Sequence, residues 1–405
     1  MLGSKDRPGS VLLVSAMRVA HALAGIALIG FLITCCANPV LAQDRVFLDL
    51  SLDFLGEYKL PKMKFLDTPV GGLSAITYDR QRDRLIALCD DQSVLSPARF
   101  YTLKLSLNAN NSEKIGIQKI DIESVTFLTD KDGQTYPKGT IDPEGIANTP
   151  QQTVFISTSG IASNRVAPSV QEFDLKTGRL RTSLPIPQRY LPDAGDDKET
   201  PRGVQDNSGF ASLTLNPTGS RASGEPINLF TATESTLVQD LDPASSEQQS
   251  KSRLLHYLTG YGPPVLISEY LYRLDPTPKG ALSHGLVELL AVDQGGHFLS
   301  LERSRGLSGF NVRIFQMTTG GATDTSRIAS LKGSLNGIQP VKKKLLLDLN
   351  ELGIPLDNLQ GMTLGPRLPD GTQSLLLVSN DNFTQEQVTQ FLLFRLNMSK
   401  PRESS

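Results

Sequence analysis

Residues 142–147 are Asp-Pro-Glu-Gly-Ile-Ala, and residues 154–158 are Val-Phe-Ile-Ser-Thr. This stretch joins an acidic turn to a short apolar strand, and a second strand follows after another turn. Variants of the unit begin about 70 residues apart, a wider spacing than the ~40–50 residues of most propeller blades. The other copies are 72–77 with 85–91, 209–214 with 229–234, 285–290 with 298–303, and 359–364 with 375–381. Such repetition indicates a fold assembled from like units that bury their apolar faces against one another.

A third strand follows each two-strand unit. These segments alternate polar and apolar residues or are rich in β-branched and aromatic side chains, as half-buried antiparallel strands are. They are 99–103, 170–175, 270–274, 311–315 and 390–394. We therefore predict an all-β protein, a β-propeller of five to six blades of antiparallel strands. A sixth blade would come from residues 121–136 or from N-terminal strands meeting the C-terminal ones.

Composition excludes several classes of partner. The chain has 405 residues, a formal net charge of −2 and no Trp. A near-neutral charge gives no electrostatic basis for binding nucleic acid. The absence of Trp argues against an indole platform for stacking sugars. With 34 Gly and 25 Pro, the chain is suited to many turns between short strands.

The first 42 residues have the features of a secretory signal. Basic residues precede an apolar run at 19–34, and Val40-Leu41-Ala42 fits the small-residue rule for signal peptidase. The run is short for a bilayer span, so we expect no membrane span after cleavage. The predicted domains are then a signal peptide at 1–42, a propeller at 43–400 and a polar tail at 401–405.

Cysteine positions bear on where the protein resides. Cleavage after Ala42 leaves Cys89 as the only thiol, so no intramolecular disulfide can form. We expect a secreted or periplasmic protein that is stable through packing alone. The alternative is a lipoprotein anchored through Cys35, although Thr34 before that cysteine is a poor match to the lipoprotein pattern.

In a propeller, equivalent positions of all the blades converge on one axis. Aligning the first strands places one residue of each blade at the same level: Ser74, Glu144, Ala211, Val287 and Gln360. Aligning the ends of the second strands places a polar set near the same mouth: Asp90, Asp91, Glu234, Glu302, Arg303, Asn380 and Asp381. Clustered carboxylates repel one another unless a cation or protons compensate.

Oxygen-only ligands favour Ca²⁺ among the common metals. The predicted ligands are Asp91, Asp142, Glu144, Glu234 and Asp381. The alternative interpretation is that each acidic residue caps a tight turn by accepting backbone N–H groups.

Other catalytic chemistries find no support in the sequence. His256, His284 and His297 lack metal-ligand spacing, and no Gly-x-Ser-x-Gly elbow, Walker loop or dinucleotide fingerprint occurs. Hydrolysis by metal-bound water with carboxylate assistance is the route that these residue types allow. Glu144 and Glu302 are the candidates to activate water. Arg303 is the candidate to hold an anionic group, or else forms an ion pair with a neighbouring carboxylate.

The chain resembles the family described as "esterase-like activity of phytase" over residues 71–394. The resemblance rests on several motifs in one order: Gly71-Gly72-Leu73-Ser74, Pro97-Ala98-Arg99-Phe100-Tyr101, Asp142-Pro143-Glu144-Gly145, Asn207-Ser208-Gly209-Phe210, Thr233-Glu234, Leu301-Glu302-Arg303, Asp357-Asn358, Gln360-Gly361-Met362 and Asn380-Asp381-Asn382-Phe383. It implies a secreted propeller with a phosphoester-directed role, and substrate contacts from the motif residues Arg99, Asn207, Asn358 and Asn382. Ala211 and Gln360 depart from the family pattern, which has glutamate there.

Two functional hypotheses follow. The first is an exported, monomeric hydrolase that binds Ca²⁺ and a small anionic or ester substrate at the propeller mouth. The second is a non-catalytic propeller that binds a partner or envelope component, with its acidic turns purely structural.

Overall fold

The computed structural model describes residues 47–108, 115–192, 201–216, 226–242, 249–260 and 262–398. The predicted signal peptide at 1–42, Cys35 and the tail at 401–405 lie outside these residues, so their assignments stay predictions. The architecture below concerns the compact unit that begins at Leu48. No helix within the described ranges is long and apolar enough to cross a membrane.

The described residues form 22 strands and four short 3₁₀ helices. The strands in chain order are β1 (Leu50–Leu60), β2 (Met63–Phe65), β3 (Thr68–Val70), β4 (Leu73–Asp79), β5 (Arg84–Cys89), β6 (Arg99–Leu107), β7 (Ile117–Phe127), β8 (Pro143–Asn148), β9 (Thr153–Thr158), β10 (Ser169–Asp174), β11 (Leu180–Ser183), β12 (Phe210–Leu215), β13 (Ile227–Thr233), β14 (Lys251–Gly260), β15 (Gly262–Arg273), β16 (Ala281–Ala291), β17 (His297–Gly306), β18 (Gly309–Thr318), β19 (Lys342–Asp348), β20 (Leu359–Arg367), β21 (Gln373–Ser379) and β22 (Thr389–Met398). The 3₁₀ helices are Ala162–Asn164, Gln188–Tyr190, Val238–Asp240 and Leu349–Leu352.

Twenty of these strands form five four-stranded antiparallel sheets, which are the blades of a β-propeller. Blades 1 to 4 are β4–β7, β8–β11, β12–β15 and β16–β19, and β20–β22 belong to blade 5. The inner strands β4, β8, β12, β16 and β20 contact one another in ring order around the axis. The prediction of an all-β propeller is confirmed, with five blades among the described residues.

The ring closes through the N-terminal strand. β1 pairs with β22 as the outer strand of blade 5, from Leu50 opposite Met398 to Leu60 opposite Thr389. Of the segment 121–136 proposed for a sixth blade, residues 121–127 belong to β7, the outer strand of blade 1. Both candidates for an extra blade thus complete other blades, because each three-stranded unit needs a fourth strand to cover its edge.

Apolar side chains fill the seams between neighbouring blades. There is one hydrophobic cluster for each of the five seams, and Phe155, Phe298 and Phe391 are among the large side chains fully buried in them. A blade hydrophobic on both faces can be stable only between two others. The seams therefore hold the inner strands in fixed positions around the axis.

Every inner strand carries a β-bulge at the same place. The register shifts between Leu73 and Ala75, and at the matching step of each of the other four blades. The residues skipped by the pairing are Ser74, Glu144, Ala211, Val287 and Gln360. These are the five residues that the sequence alignment placed at one level. A bulge redirects the side chain that it carries. The repeat therefore has five equivalent positions around the axis at which the side chain is redirected.

Candidate functional site

The central channel has a cavity at each end. One, of about 360 Å³, is lined by the later residues of the inner strands, such as Ile146, Thr214 and Met362. The other, of about 660 Å³, surrounds the bulges and is lined by carboxylates and arginines. We call this second cavity the funnel. It is the candidate site because its lining contains titratable groups that can take part in chemistry.

One residue of each second strand belongs to a ring beside the funnel. Just before each bulge the first strand pairs with Cys89, Thr158, Thr233, Glu302 and Ser379, blade by blade. The next residue in each blade is therefore equivalent, and the ring consists of Asp90, Ser159, Glu234, Arg303 and Asn380. In blades 1, 2, 3 and 5 the backbone N–H of this residue donates to an equivalent carbonyl, as Asp90 does to Gly72 at 2.9 Å. In blade 4 the two strands stay paired beyond this level, and Arg303 lies opposite Gly285.

This register separates two adjacent residues that the sequence analysis treated together. Arg303 lines the funnel, whereas Glu302 does not. Neighbouring residues of a strand face opposite sides of the sheet, so a one-residue difference in alignment changes the side. The predicted place of Glu302 at the funnel mouth is thus corrected by the position of β17 in its blade.

Glu302 belongs to a buried cluster on the other side of blade 4. Its carboxylate accepts the hydroxyl of Tyr272 at 2.7 Å and the backbone N–H of Asp275 at 3.0 Å, and it is paired with Lys343. Burial, and next the charge of Glu302, hold the pKa of Tyr272 well above its usual range. These contacts assign Glu302 to the packing of blades 3 and 4.

Arg303 is held by two residues from neighbouring blades. Its guanidinium donates to Asn358 Oδ1 at 2.5 Å and to Glu234 Oε1 at 3.1 Å. Its Nε has no partner among the described residues. Glu234 packs over Gly285, where a Cβ would lie 2.3 Å from Glu234 Cγ. Arg303 and Glu234 therefore pair beside Gly285, where any larger residue would collide with Glu234.

Three further carboxyl groups lie in the funnel and interact through their charges. Burial raises the pKa of Asp90 to about 7, although the amide of Asn380 opposes this by donating to Asp90 at 2.5 Å. Burial likewise raises the pKa of Asp142 to about 6. Burial, then the charges of Asp142 and Asp90, raise the pKa of Glu144 well above its usual range. The funnel therefore offers carboxyl groups that gain and lose protons near neutral pH.

Unsatisfied acceptors accompany these acids. Asp142 accepts a hydrogen bond from Gln92 at 2.8 Å on Oδ1, while its Oδ2 has no partner among the described residues. The amide oxygen of Gln360 is also unpartnered. Buried acceptors without donors are rare in folded proteins, and these two belong to side chains that line the funnel.

Other predicted ligands have structural partners instead. Asp91 accepts the backbone N–H groups of Val94, Leu95 and Ser96, and it forms an ion pair with Arg99 at 2.8 Å. Although its burial acts in the opposite direction, these contacts lower the pKa of Asp91. Arg99 is fully buried and lies outside the funnel lining, so the structure does not place it for substrate contact.

Asp381 also lies outside the funnel lining. Its Oδ1 accepts the backbone N–H groups of Gly72 at 2.8 Å and Phe383 at 3.1 Å. Like Asp91, it matches the alternative interpretation of the acidic turns, in which the carboxylate fixes a loop. The loops that these two residues fix form part of the funnel rim.

The predicted substrate-binding asparagines are all part of the funnel lining: Asn207, Asn358 and Asn382. Asn358 is engaged by Arg303, and Asn382 Nδ2 donates to Gln387 at 2.9 Å. Asn207 has a left-handed backbone, with a φ of 53°. The structure therefore brings together Asp91, Asp142, Glu144, Glu234, Arg303 and these asparagines, but not Arg99, Glu302 or Asp381.

The donor set can be tested for calcium. Among the described residues, no three or more His, Cys, Asp or Glu side chains are grouped as a metal site. Asp142, Glu144 and the amide oxygen of Gln360 nevertheless offer hard oxygen donors, two of them with an unpartnered atom. Such oxygens suit Ca²⁺, which accepts carboxylates, amide carbonyls and waters together. These oxygen types are ones that Ca²⁺ takes, whereas three of the predicted ligands, Asp91, Glu234 and Asp381, have protein partners instead.

The sequence alignment places Asp90 and Asn380 near the mouth and Gln360 level with Glu144, but these three are not among the predicted site residues. Ser159 is missed by the sequence analysis altogether. It occupies the ring with Asp90, Glu234, Arg303 and Asn380, and it donates to Glu144 at 3.4 Å. Counting from the residue paired just before each bulge would identify Ser159, because it is the equivalent position in blade 2. Gln360 lines the funnel.

Comparisons with known proteins give one family. The family described as "Phytase-like: Esterase-like activity of phytase" matches residues 68–383. No curated protein matches the sequence.

Among solved structures, similarity is weak. A glycoside hydrolase of the GH130 family of mannoside phosphorylases covers 87% of this chain and 96% of its own, at 10% identity and a TM-score of 0.41. The catalytic domain of a Coprinopsis cinerea GH62 α-L-arabinofuranosidase covers 86% and 98%, at 11% identity and a TM-score of 0.32. The β-propeller domain of Vanderwaltozyma polyspora Nup133 covers 86% and 90%, at 13% identity and a TM-score of 0.30. At these scores the similarities carry no argument about function.

Proposed function

The chain belongs to the phytase-like family, esterase-like activity of phytase, and on that basis we propose that it hydrolyses a phosphoester or another ester in the funnel. The observation that carries the proposal is the meeting of Arg303 with Asp90, Asp142 and Glu144 around one cavity. A fixed guanidinium binds a phosphoryl or carbonyl oxygen. Carboxyl groups that titrate near neutral pH can move protons to and from the reacting atoms.

In the proposed reaction, Arg303 binds the oxygen on which negative charge develops. Its place between Glu234 and Asn358 fixes the guanidinium before substrate arrives, which is the arrangement that favours a charged transition state. Asp142 or Asp90, when ionised near neutral pH, accepts a proton from the attacking water. Glu144, whose raised pKa keeps its carboxyl group protonated, donates a proton to the oxygen of the departing alcohol. Glu302 has no part in this proposal because it lies outside the funnel.

We further propose that Ca²⁺ binds at Asp142, Glu144 and Gln360. When bound, it would supply positive charge that polarises the ester and favours ionised water. Asp142 and Glu144 would bind it as carboxylates, so cation binding and protonation compete for the same oxygens. Arg303 pairs with Glu234, not with Asp142 or Glu144, so the guanidinium does not occupy the carboxyl groups proposed for the cation.

Export and a monomeric state complete the proposal. Release of an N-terminus at Gln43 in the periplasm or medium, found by N-terminal sequencing, would support the signal-peptide prediction. Retention of an acylated Cys35 would favour the lipoprotein alternative. Light scattering on the purified mature chain measures the oligomeric state, for which we expect a mass near that of one chain.

Hydrolysis of p-nitrophenyl acetate and p-nitrophenyl phosphate tests the proposed activity. We expect turnover of at least one, lost by more than tenfold in Glu144→Gln and in Arg303→Ala. The matched controls are Glu123→Gln and Arg84→Ala, which alter an ion pair of 2.5 Å on the outside of blade 1. Absence of turnover with both substrates, with and without Ca²⁺, would remove the support for a hydrolase.

One observation favours the non-catalytic alternative. Of the five bulge positions, only Glu144 carries a carboxyl group, and the residues at the others are Ser74, Ala211, Val287 and Gln360. A propeller that only binds a partner would need no further carboxyl groups at these positions. That alternative would be supported if the wild type binds a ligand without measurable turnover and the variant Glu144→Gln no longer binds it.

A further inference from the structure

The rim of the funnel is apolar on three sides. Val94 and Leu95, in a loop of blade 1, are 50% and 55% exposed. Phe383 comes from the loop after β21, and Phe310 from the β17–β18 hairpin of blade 4. All four line the funnel. Val94 and Leu95 are left in solvent, and Phe310 and Phe383 are half-buried. Apolar side chains in this arrangement around a cavity with a polar floor are typical of a binding site for a ligand with an apolar part.

The exposed pair is held in place by the backbone around it. Asp91 accepts the N–H groups of Val94 at 2.7 Å and Leu95 at 3.1 Å, and Arg99 fixes Asp91 from the interior. A loop secured in this way does not fold its apolar side chains inward. Their exposure is thus a stable feature of the surface.

Phe383 is also constrained. Its φ is 56°, an uncommon conformation for a bulky residue, and its ring lies so close to Gly72 that a Cβ there would be 2.5 Å away. Backbone conformations of this kind persist where surrounding contacts hold them, and they concentrate at ligand sites. The contact with Gly72 places the ring in the wall of the funnel.

The charges on the floor limit what the ligand can carry. Two arginines line the funnel, the buried Arg303, which is paired with Glu234, and the exposed Arg305, and three further carboxyl groups surround the same space, Asp90, Asp142 and Glu144. Only Arg303 is buried at the floor, where one guanidinium can stabilise one anionic group. A ligand with several phosphates would place negative charge beside these carboxyl groups, which disfavours its binding.

We infer that the substrate is an amphiphilic ester, with an apolar chain of several carbons lying against Val94, Leu95, Phe310 and Phe383 and a head bearing at most one negative charge at Arg303. The inference rests on the proposed hydrolase function and names its substrate class. It excludes highly phosphorylated polyols as preferred substrates. The rim side chains bind the chain of the ester, and the funnel floor acts on the bond.

A chain-length series tests the inference on the mature protein. We expect kcat/KM for p-nitrophenyl octanoate to exceed that for the acetate by roughly tenfold or more, since one fully buried methylene favours binding by a factor of about four. In the double variant Val94→Ser, Leu95→Ser, the octanoate-to-acetate ratio should fall by at least fivefold. The matched control is Val265→Ser, Ile267→Ser, because these residues of β15 are 53% and 47% exposed and lie outside the funnel lining. The control should keep the wild-type ratio.

Each outcome separates the two proposals. Turnover of the acetate with no gain for octanoate, or a gain that persists in Val94→Ser, Leu95→Ser, would overturn the substrate class and leave the hydrolase standing. Faster hydrolysis of inositol hexakisphosphate than of p-nitrophenyl phosphate would also overturn it.

If no ester is hydrolysed, the proposed function fails, and calorimetry with octyl phosphate decides the ligand class. The ligand class would be upheld if octyl phosphate binds the wild type at least tenfold more tightly than it binds the variant Val94→Ser, Leu95→Ser. It must also bind the wild type more tightly than inositol hexakisphosphate does. Absence of binding, or tighter binding of the hexakisphosphate, would overturn it.

Discussion

Two buried arginines of this propeller lie in opposite circumstances. In blade 3, Arg253 is enclosed between Asp240 and Glu269, and all three side chains are fully buried. Arg253 also donates to the carbonyl of Ile328, while Glu269 accepts the hydroxyl of Tyr190 at 2.6 Å. In the funnel, Arg303 Nε and one oxygen each of Asp142 and Gln360 have no partner within the part of the chain that the structure describes.

The contrast separates stability from function. A buried polar network in which every group has a partner fixes the packing around it, and here it secures blade 3 to the loop that contains Ile328 and Leu331. A network in which some donors and acceptors lack partners can gain hydrogen bonds when a ligand binds.

Replacing each arginine by alanine should affect stability unequally. Arg253→Ala leaves Asp240 and Glu269 as buried unpaired charges, and we expect a loss of about 3–5 kcal/mol of unfolding free energy. Arg303→Ala should cost less than half as much, because Glu234 lies at the funnel, where it can take up a proton or contact solvent. Urea unfolding at pH 7 measures both values. Equal losses would remove the distinction between the two networks.

Adjacent residues of β17 should differ in their effect on activity. Arg303→Ala should lower kcat/KM for the ester that the wild type hydrolyses by about 100-fold, the typical result of removing one group that stabilises transition-state charge. Glu302→Gln should leave kcat/KM within about threefold while lowering the melting temperature, since Glu302 contacts Tyr272 and Lys343 outside the funnel. The same loss of activity in both variants would contradict the register described here.

Acidic pH should stabilise the funnel. The pKa of Asp90 is raised to about 7 and that of Asp142 to about 6, above the values near 4 of an unfolded chain. Between pH 4 and pH 7 the folded protein therefore holds more protons, so this contribution to stability is complete at low pH and is lost as pH rises towards 7. Each pKa unit is worth about 1.4 kcal/mol.

The variant Asp90→Asn checks that interpretation. It should weaken the fall in unfolding free energy between pH 5 and pH 8, whereas Asp370→Asn, an exposed carboxylate on blade 5, should leave the slope unchanged. An unchanged slope in Asp90→Asn would show that this carboxyl group is not responsible.

Calcium should produce the smallest effect. At a concentration ten times its Kd, a ligand that binds only the folded state adds roughly 1.4 kcal/mol of stability. We expect Ca²⁺ to raise the melting temperature, a chelator to reverse the rise, and Asp142→Asn with Glu144→Gln to abolish it. A calcium-dependent rise that survives in this double variant would place the cation elsewhere, and no rise in the wild type would argue for protons as the compensating charge.

Much of the fold was accessible from the sequence, because the repeated turn-and-strand unit is a local pattern. The first three strands of each blade and the level shared by Glu144 and Gln360 followed from aligning the copies. The meeting of N-terminal and C-terminal strands was one of two alternatives for a sixth blade. The sequence did not decide that β1 completes blade 5 instead, since β1 and β22 are far apart in the chain and their pairing leaves no local signal.

The site was predictable only in part. Asp142, Glu144, Glu234 and Arg303 belong to recognisable motifs, and all line the funnel. Asp91 and Asp381 belong to equally recognisable motifs but bind backbone N–H groups instead. Carboxylates at a turn have the same local sequence whether they cap a loop or face a cavity.

The sequence by itself determined the repeating strands, the acidic turns, the absence of a strong net charge and the family. Only the tertiary structure decided which of Glu302 and Arg303 faces the funnel, and which carboxylates bind backbone N–H groups instead of lining the cavity. The physical reason is that side chains alternate along a strand with a period of two, and the bulge in each inner strand shifts the pairing by one residue. Propensity gives the strand but not its register, which is fixed by contacts among blades distant in the chain.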